Sequence, residues 1–421
     1  RNPIHPSASS SAVTPKSKLL GTMKSSPSIK ITAALAMIMT YPAALDAQSI
    51  GIRVGDSVHV DIETIPTQQF WLTESSDLAA WTKHTFVDHS TTLDLGPPAS
   101  GSRFFKLDPL YGQLTWSAAD NMPVARDQFT GGVIDGKLYL FGGNGNPDGV
   151  NLSRLDIYDL KTGEWTRGAD YDFGIEELSS AVVGGKLYVF GGYADGPIRV
   201  NLYYDPSSDT WTETAPKPTQ IQSATVVAWG EEILILGGKL SDELGYATVV
   251  EAYNTVSNAW RVVTHLPDPS IWFGAGVHEN ILYLIGGAIR ESFTLHNKVR
   301  RFDLITGRWL PEIDGVLPRP ILAMYSSAQP IVNGKLIIGG GITTVNGGFA
   351  VTDVNSDFQI SNLITVYDIQ SNTISYNTPL PEPFDDHLFL LAEDKIFTLG
   401  GRIVFGSDVP TSRMIIGTFS K

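Results

Sequence analysis

Short apolar runs separated by polar turns dominate the chain from about residue 114 onward. Six of them end in paired glycines: KLYLFGG, KLYVFGG, EILILGG, ILYLIGG, KLIIGGG and KIFTLGG. The pairs begin at Gly142, Gly191, Gly237, Gly286, Gly340 and Gly400, a period of 46 to 60 residues that matches one four-stranded unit of a β repeat array. Within a unit, an apolar stretch such as TGGVID, SSAVVG or ATVVAW turns tightly through Asp-Gly, Gly-Gly or Asn-Gly into the glycine-terminated run. That pattern predicts a hairpin whose second strand is buried. After each of the first five pairs comes an aromatic residue, and seven positions later a large apolar one: Tyr158 and Trp165, Tyr204 and Trp211, Tyr253 and Trp260, Phe302 and Trp309, Tyr367 and Ile374. The spacing predicts a third strand ending in the Tyr-Asp pair and an outer fourth strand carrying the Trp.

This combination of double glycine, Tyr-Asp and spaced Trp closely resembles the kelch repeat, over about residues 114 to 421. The resemblance implies an all-β, six-bladed kelch β-propeller spanning residues 113–421. After the sixth glycine pair the chain offers one strand too few for a full blade. QLTWSAADNM, residues 113–122, supplies such a strand, with Trp116 in the place of Trp165 and Trp211. Its pairing with the last blade would close the ring and remove exposed sheet edges.

Residues 1–47 read differently. Residues 1–22 are rich in Ser, Pro and Lys without an apolar period. From Met23, a basic region with Lys24 and Lys30, an apolar stretch from Ile31 to Met39 and a small-residue end read as a secretory signal peptide cleaved after Ala47. The apolar stretch is too short for a stable membrane span. The expectation is therefore a secreted, periplasmic or extracellular protein. Residues 48–110 predict four or five strands. The segments FWLTESSDLAAW and SRFFKLDPL resemble small β-sandwich modules appended to secreted bacterial proteins.

The whole chain carries a formal charge of −14. Without residues 1–47 it holds 25 basic and 43 acidic residues, a charge of −18. So acidic a chain argues against nucleic acid and anionic membranes as partners. There is no cysteine, which removes disulfides, thiolate metal sites and cysteine nucleophiles together. Gly131 to Lys137 has phosphate-loop spacing, but Leu138 stands where Ser or Thr is required. Asn144, Asn146, Asp148 and Gly149 mimic the opening of a calcium loop whose last ligand position is Leu155. His84 and His89 flank Asp88 too loosely to specify a metal. No metal site and no cofactor is expected.

A functional site in a ring of blades belongs where loops converge on the axis. Counting fourteen residues back from each glycine pair reaches Gln128, Glu177, Ser223, Trp272, Ser326 and Asp386, with Arg126, Asp127, Glu176, Gln222, Phe273, Tyr325, Asp385 and His387 beside them. Arg126, Glu177, Asp386 and His387 are the candidates for chemistry. Paired carboxyls raise one another's pKa and so suit acid and base roles, and an arginine can hold a carboxylate bidentately. Gln128, Glu176, Gln222, Trp272, Phe273 and Tyr325 are the candidates for ligand binding. The segment Pro123 to Gln128, PVARDQ, resembles the entry to the first blade of N-acetylneuraminate epimerases, which implies a carbohydrate epimerase or mutarotase. The chain lacks the long mid-propeller insertion of that group. Galactose oxidase-type copper chemistry, which needs a Cys cross-linked to Tyr, is excluded. The leading expectation is a noncatalytic propeller that binds a protein or an extracellular glycan. An insertion at 342–366 reads as either a lid or a partner-binding loop.

Overall fold

The computed structural model describes residues 113–420 apart from 146–148, 242, 290–291, 293, 324–325, 352 and 408, together with the backbone of six strands between residues 49 and 109. The leader and signal segment, residues 1–47, lies outside the described residues. The six N-terminal strands, one more than the upper expectation, form two antiparallel sheets. One contains Ser49–Val54, Val58–Glu63 and Thr91–Asp94; the other contains Thr82–Val87, Phe70–Ser75 and Phe104–Pro109.

From residue 113 onward, the described residues form a sheet of four antiparallel strands around each glycine pair, with a short fifth strand added in the third and fourth, here called sheets one to six in chain order. Sheet one shows the plan: Thr130–Ile134, Lys137–Phe141, Leu155–Asp159 and Trp165–Arg167. The first hairpin turns through Asp135 and Gly136, both left-handed at φ 47° and 71°, the conformation a two-residue connection needs to follow strand twist. The seven-residue aromatic spacing is a register. Tyr158 stands directly across from Trp165, Tyr204 from Trp211, Tyr253 from Trp260, Phe302 from Trp309 and Tyr367 from Ile374. Ring centroids of the four aromatic pairs lie 4.9 to 5.3 Å apart. The outer Trp also links sheets, because Trp211, Trp260 and Trp309 donate Nε1–H to the carbonyls of Ala169, Ala215 and His265 at 2.8, 2.8 and 2.9 Å.

The core sits between neighbouring sheets. Val227 and Leu234 of sheet three, for example, share one buried cluster with Phe273, Leu284 and Phe302 of sheet four. The double glycines make the closest approach. The second glycine of a pair donates its amide to the following sheet: Gly143 to Ile175 O at 2.8 Å, Gly192 to Ile221 O at 2.9 Å, Gly287 to Ile321 O at 2.9 Å, Gly341 to Phe384 O at 2.7 Å and Gly401 to Arg126 O at 2.9 Å. A Cβ on Gly191, at φ 61°, would stand 2.3 Å from Ile221 O of the following sheet. Only glycine fits that joint.

The ring closes as the missing strand predicts. Leu114–Ala118 is the fourth strand of sheet six, paired with Met414–Phe419 and placing Trp116 opposite Gly417. Trp116 covers Gly417 closely, in place of the aromatic partner found elsewhere, and donates to Thr378 O at 3.0 Å. Leu114 N binds Asn377 Oδ1 at 2.7 Å, fastening the strand to sheet five as well. Deleting residues 113–118 is expected to lower the melting temperature of the whole ring in one cooperative transition; an unchanged melting temperature would contradict this closure.

Candidate functional site

At one end of the ring, each chain entering a first strand forms a short antiparallel bridge with the residue after the glycine pair. The six bridges are Asp127 with Asn144, Glu176 with Tyr193, Gln222 with Lys239, Ile271 with Ala288, Leu322 with Ile342, and Asp385 with Arg402. Together they make a crown around the axis. The next residue in sheets one to four and six is left-handed although none is glycine: Gln128, Glu177, Ser223, Trp272 and Asp386, with φ between 51° and 60°. Such conformations are uncommon for these residue types. Here they turn the backbone into a belt: Gln128 N donates to Asp386 O at 3.2 Å, Glu177 N to Gln128 O at 2.9 Å, Ser223 N to Glu177 O at 2.9 Å and Ala323 N to Trp272 O at 2.7 Å.

In sheet five the count of fourteen slips by three residues. Ala323 holds the belt position, and Ser326, which the count reached, does not. The extra length enters the channel, where Ser326–Ser327 pairs in parallel with Thr225 and Val226 of sheet three. Beyond the crown, the axis holds a cavity of about 280 Å³ lined by small and apolar residues such as Gly131, Ser180, Val226, Ala328 and Leu390.

The crown is chemically lopsided. Over sheets four and five it is apolar: Leu322, Ile342, Ala288 and Leu295 form a buried cluster against which half-buried Trp272 packs. The insertion lies there, because Phe349, Val351 and Phe358 pack on the same cluster. Over sheets six, one, two and three the crown is polar. Arg402 ion-pairs with Asp127 through Nε and stands 3.4 Å from Asp386 Oδ2 through its Nη1. Glu177 Oε2 accepts from Gln222 Nε2 at 2.7 Å and from the Ser223 hydroxyl, while Glu176 Oε2 accepts from Asn144 Nδ2 at 3.1 Å. Burial, then mutual repulsion, lifts Asp386 well above the usual carboxylate range. Burial and the nearby Asp127 lift Asp385 too, and Arg402 opposes both shifts. Burial also raises Glu176, with Glu177 and Asp127 adding to the effect.

Several expected site residues serve the scaffold instead. Arg126 is fully buried: its guanidinium ion-pairs with Asp156 and reaches Gly142 O at 3.4 Å, leaving it unable to hold a ligand carboxylate. Phe273 is 1% exposed and belongs to the core between sheets three and four. His387 is packed between the rings of Phe384 and Phe389, with centroids 5.7 and 6.1 Å away, and burial lowers its pKa to about 4. It is neutral at pH 7 and belongs to the joint between sheets five and six. Tyr325 lies outside the described residues, as do Asn146 and Asp148 of the calcium-like loop. Gln128, Glu176, Glu177, Gln222, Trp272 and Asp386 do meet at the crown. Arg402 joins them unforeseen, although its place immediately after the last glycine pair marks it. Among the described residues, no group of three or more His, Cys, Asp or Glu is placed to hold a metal ion.

Comparison with known proteins agrees with this architecture. Residues 177–401, more than half of the chain, match the KLHDC2/KLHL20/DRC7 Kelch-repeats domain, and residues 125–170 match the Kelch motif. The chain belongs to the kelch-repeat family. Similar proteins include Kelch-like protein terF of Aspergillus terreus (strain NIH 2624 / FGSC A1156), 25% identical over 74% of this chain and 68% of its own length. Kelch-like protein 36 of Rattus norvegicus is 29% identical over 52% of this chain, which spans only 36% of that protein. The solved structure of YjhT shares the propeller fold with a TM-score of 0.58 at 14% identity, covering 71% of this chain and 96% of its own.

The buried ion pair gives a direct test. Arg126→Ala would strand Asp156 in the core beside only the partly exposed Arg154, and is expected to cost about 3–5 kcal/mol of stability in urea unfolding. A loss below about 1 kcal/mol, the ceiling of an exposed pair, would instead return Arg126 to the crown.

Proposed function

We propose that this chain is an exported, noncatalytic kelch propeller that binds a protein partner on the crown face. The observation that carries this reading is where exposed apolar side chains gather. Val150, Phe173, Leu244, Val404, Phe405 and Val409 are 39 to 68% exposed, and all lie in loops joining second to third strands or one sheet to the next. Those loops rise at the crown end. On the hairpin-turn end, the exposed large apolar residues among the described ones are Val256 and Ile305. Apolar tips around a polar centre suit a macromolecular interface better than a small sealed pocket. Processing after Ala47 and an extracellular setting are part of this proposal.

Carbohydrate chemistry is the second reading, favoured by the paired carboxyls of Asp385 and Asp386, whose burial raises their pKa above the usual aspartate range. It is weakened by Arg126 and His387, whose side chains are committed to packing.

A photo-crosslinking residue at position 405 and another at 305 compare the two ends. Capture of one defined protein from position 405 and none from 305 is expected. Equal capture from both, or a clear thermal shift with N-acetylneuraminate and none with protein, would overturn the protein-binding reading.

A further inference from the structure

We propose that the polar half of the crown is a receptor for a cationic side chain, a lysine or arginine of a protein partner, whose apolar neighbours rest on the loop tips around it. The inference rests on the reading of the crown as a protein-binding face and names what its centre recognises.

Five carboxyl groups meet there: Asp127, Glu176, Glu177, Asp385 and Asp386. The arginine facing them is Arg402, already engaged with Asp127 and near Asp386. Lys239 occupies the equivalent bridge position in sheet three, while Arg126 is withdrawn behind the crown with Asp156. The donors on Glu176 and Glu177 are neutral: the Asn144 amide, the Gln222 amide and the Ser223 hydroxyl. Hydrogen bonds of this kind orient the two carboxyl groups and bring no positive charge to them.

A separate observation points to a missing donor. Asp386 is 3% exposed, and its Oδ1 is buried without a hydrogen-bond partner. A buried carboxylate oxygen left unpaired carries a desolvation penalty that a charged donor would relieve. The left-handed belt sets Asp386 and Glu177 on either side of Gln128, near enough for the charge of Glu177 to act on Asp386, so one cation entering there approaches both. The surrounding tips fit the same partner. Val404 and Phe405 follow Arg402 closely, and Phe173 precedes Glu176. An anionic ligand would meet the carboxyl groups while Arg402, the arginine bonded within their group, is already engaged, so the arrangement also selects against acidic partners.

Fluorescence anisotropy with the full chain tests this, using a short labelled peptide of arginine, leucine and glycine and a counterpart with glutamate at every arginine. The arginine peptide is expected to bind and the glutamate peptide to fail. Glu177→Gln with Asp386→Asn is expected to weaken binding about tenfold or more, a loss of at least about 1.4 kcal/mol. Asparagine accepts the left-handed backbone of position 386, and Glu176→Gln, at a half-buried position, serves as a second variant if the double variant unfolds. No detectable binding of the arginine peptide, equal binding of both peptides, or unchanged affinity in a folded variant would overturn the proposal. If both peptides bind and Phe405→Ser abolishes binding, the crown remains the face and the cationic preference is wrong. If Ile305→Ser at the opposite end abolishes it instead, the choice of face fails as well.

Discussion

The structure depends on a backbone contact between neighbouring sheets, made possible by the absence of two side chains. Each glycine pair ends a buried second strand in left-handed conformation, and in sheets one, two, four, five and six the second amide bonds a carbonyl of the next sheet. A Cβ on the first glycine would fall 2.6 Å from Ile175 O at Gly142 and 2.3 Å from Ile221 O at Gly191, both carbonyls of the next sheet, and one on the second glycine at Gly341 or Gly401 would fall 2.2 Å from a crown carbonyl of its own sheet. The pair therefore sets how tightly adjacent sheets approach and how the crown segments are held. Tilted Tyr-Trp ring contacts and Trp-to-carbonyl bonds hold the outer rim. Closure at the seam reuses both devices, with Gly401 bonding Arg126 O and Trp116 seated over Gly417.

Because the joint repeats, it delivers chemically free positions to the axis at regular intervals. The residue before the belt, the belt residue and the residue after the glycines are anchored by main-chain bonds, so their side chains can vary without cost to the fold. Variation has divided the crown. Sheets four and five carry Ile271, Ala288, Leu322 and Ile342 and are covered by the insertion. Sheets six, one, two and three carry the carboxylates, amides and Arg402. Left-handed Gln128, Glu177, Ser223, Trp272 and Asp386 show that local backbone preference yields to the belt.

Much of this was legible in the chain. The repeat period, the buried second strand and the cross-strand aromatic register follow from local rules repeated six times, and the shortage of one strand in the last unit pointed to Trp116. The belt was legible wherever the count of fourteen held. It failed in sheet five because the chain before the first strand is three residues longer and Ser326–Ser327 pairs with sheet three instead, which no local pattern announces. Arg126 misled because its partner Asp156 lies thirty residues on, and an arginine before a strand reads alike whether it faces the axis or the core. Phe273 and His387 sit one residue past the belt, where the chain turns inward. Arg402 was missed although a comparison of the residues after the six glycine pairs, Asn144, Tyr193, Lys239, Ala288, Ile342 and Arg402, would have brought it out.

Amide hydrogen exchange at the second glycines reads the joint directly. Gly143, Gly192, Gly287, Gly341 and Gly401 are predicted to exchange as one slow class with the inner-strand amides, through opening of the whole ring. Gly401 spans the seam between the last sheet and the first, so it should be as protected as Gly192. Rapid exchange of Gly401 alongside a protected Gly192 would show that the ring is not locked at its seam, and would contradict this account.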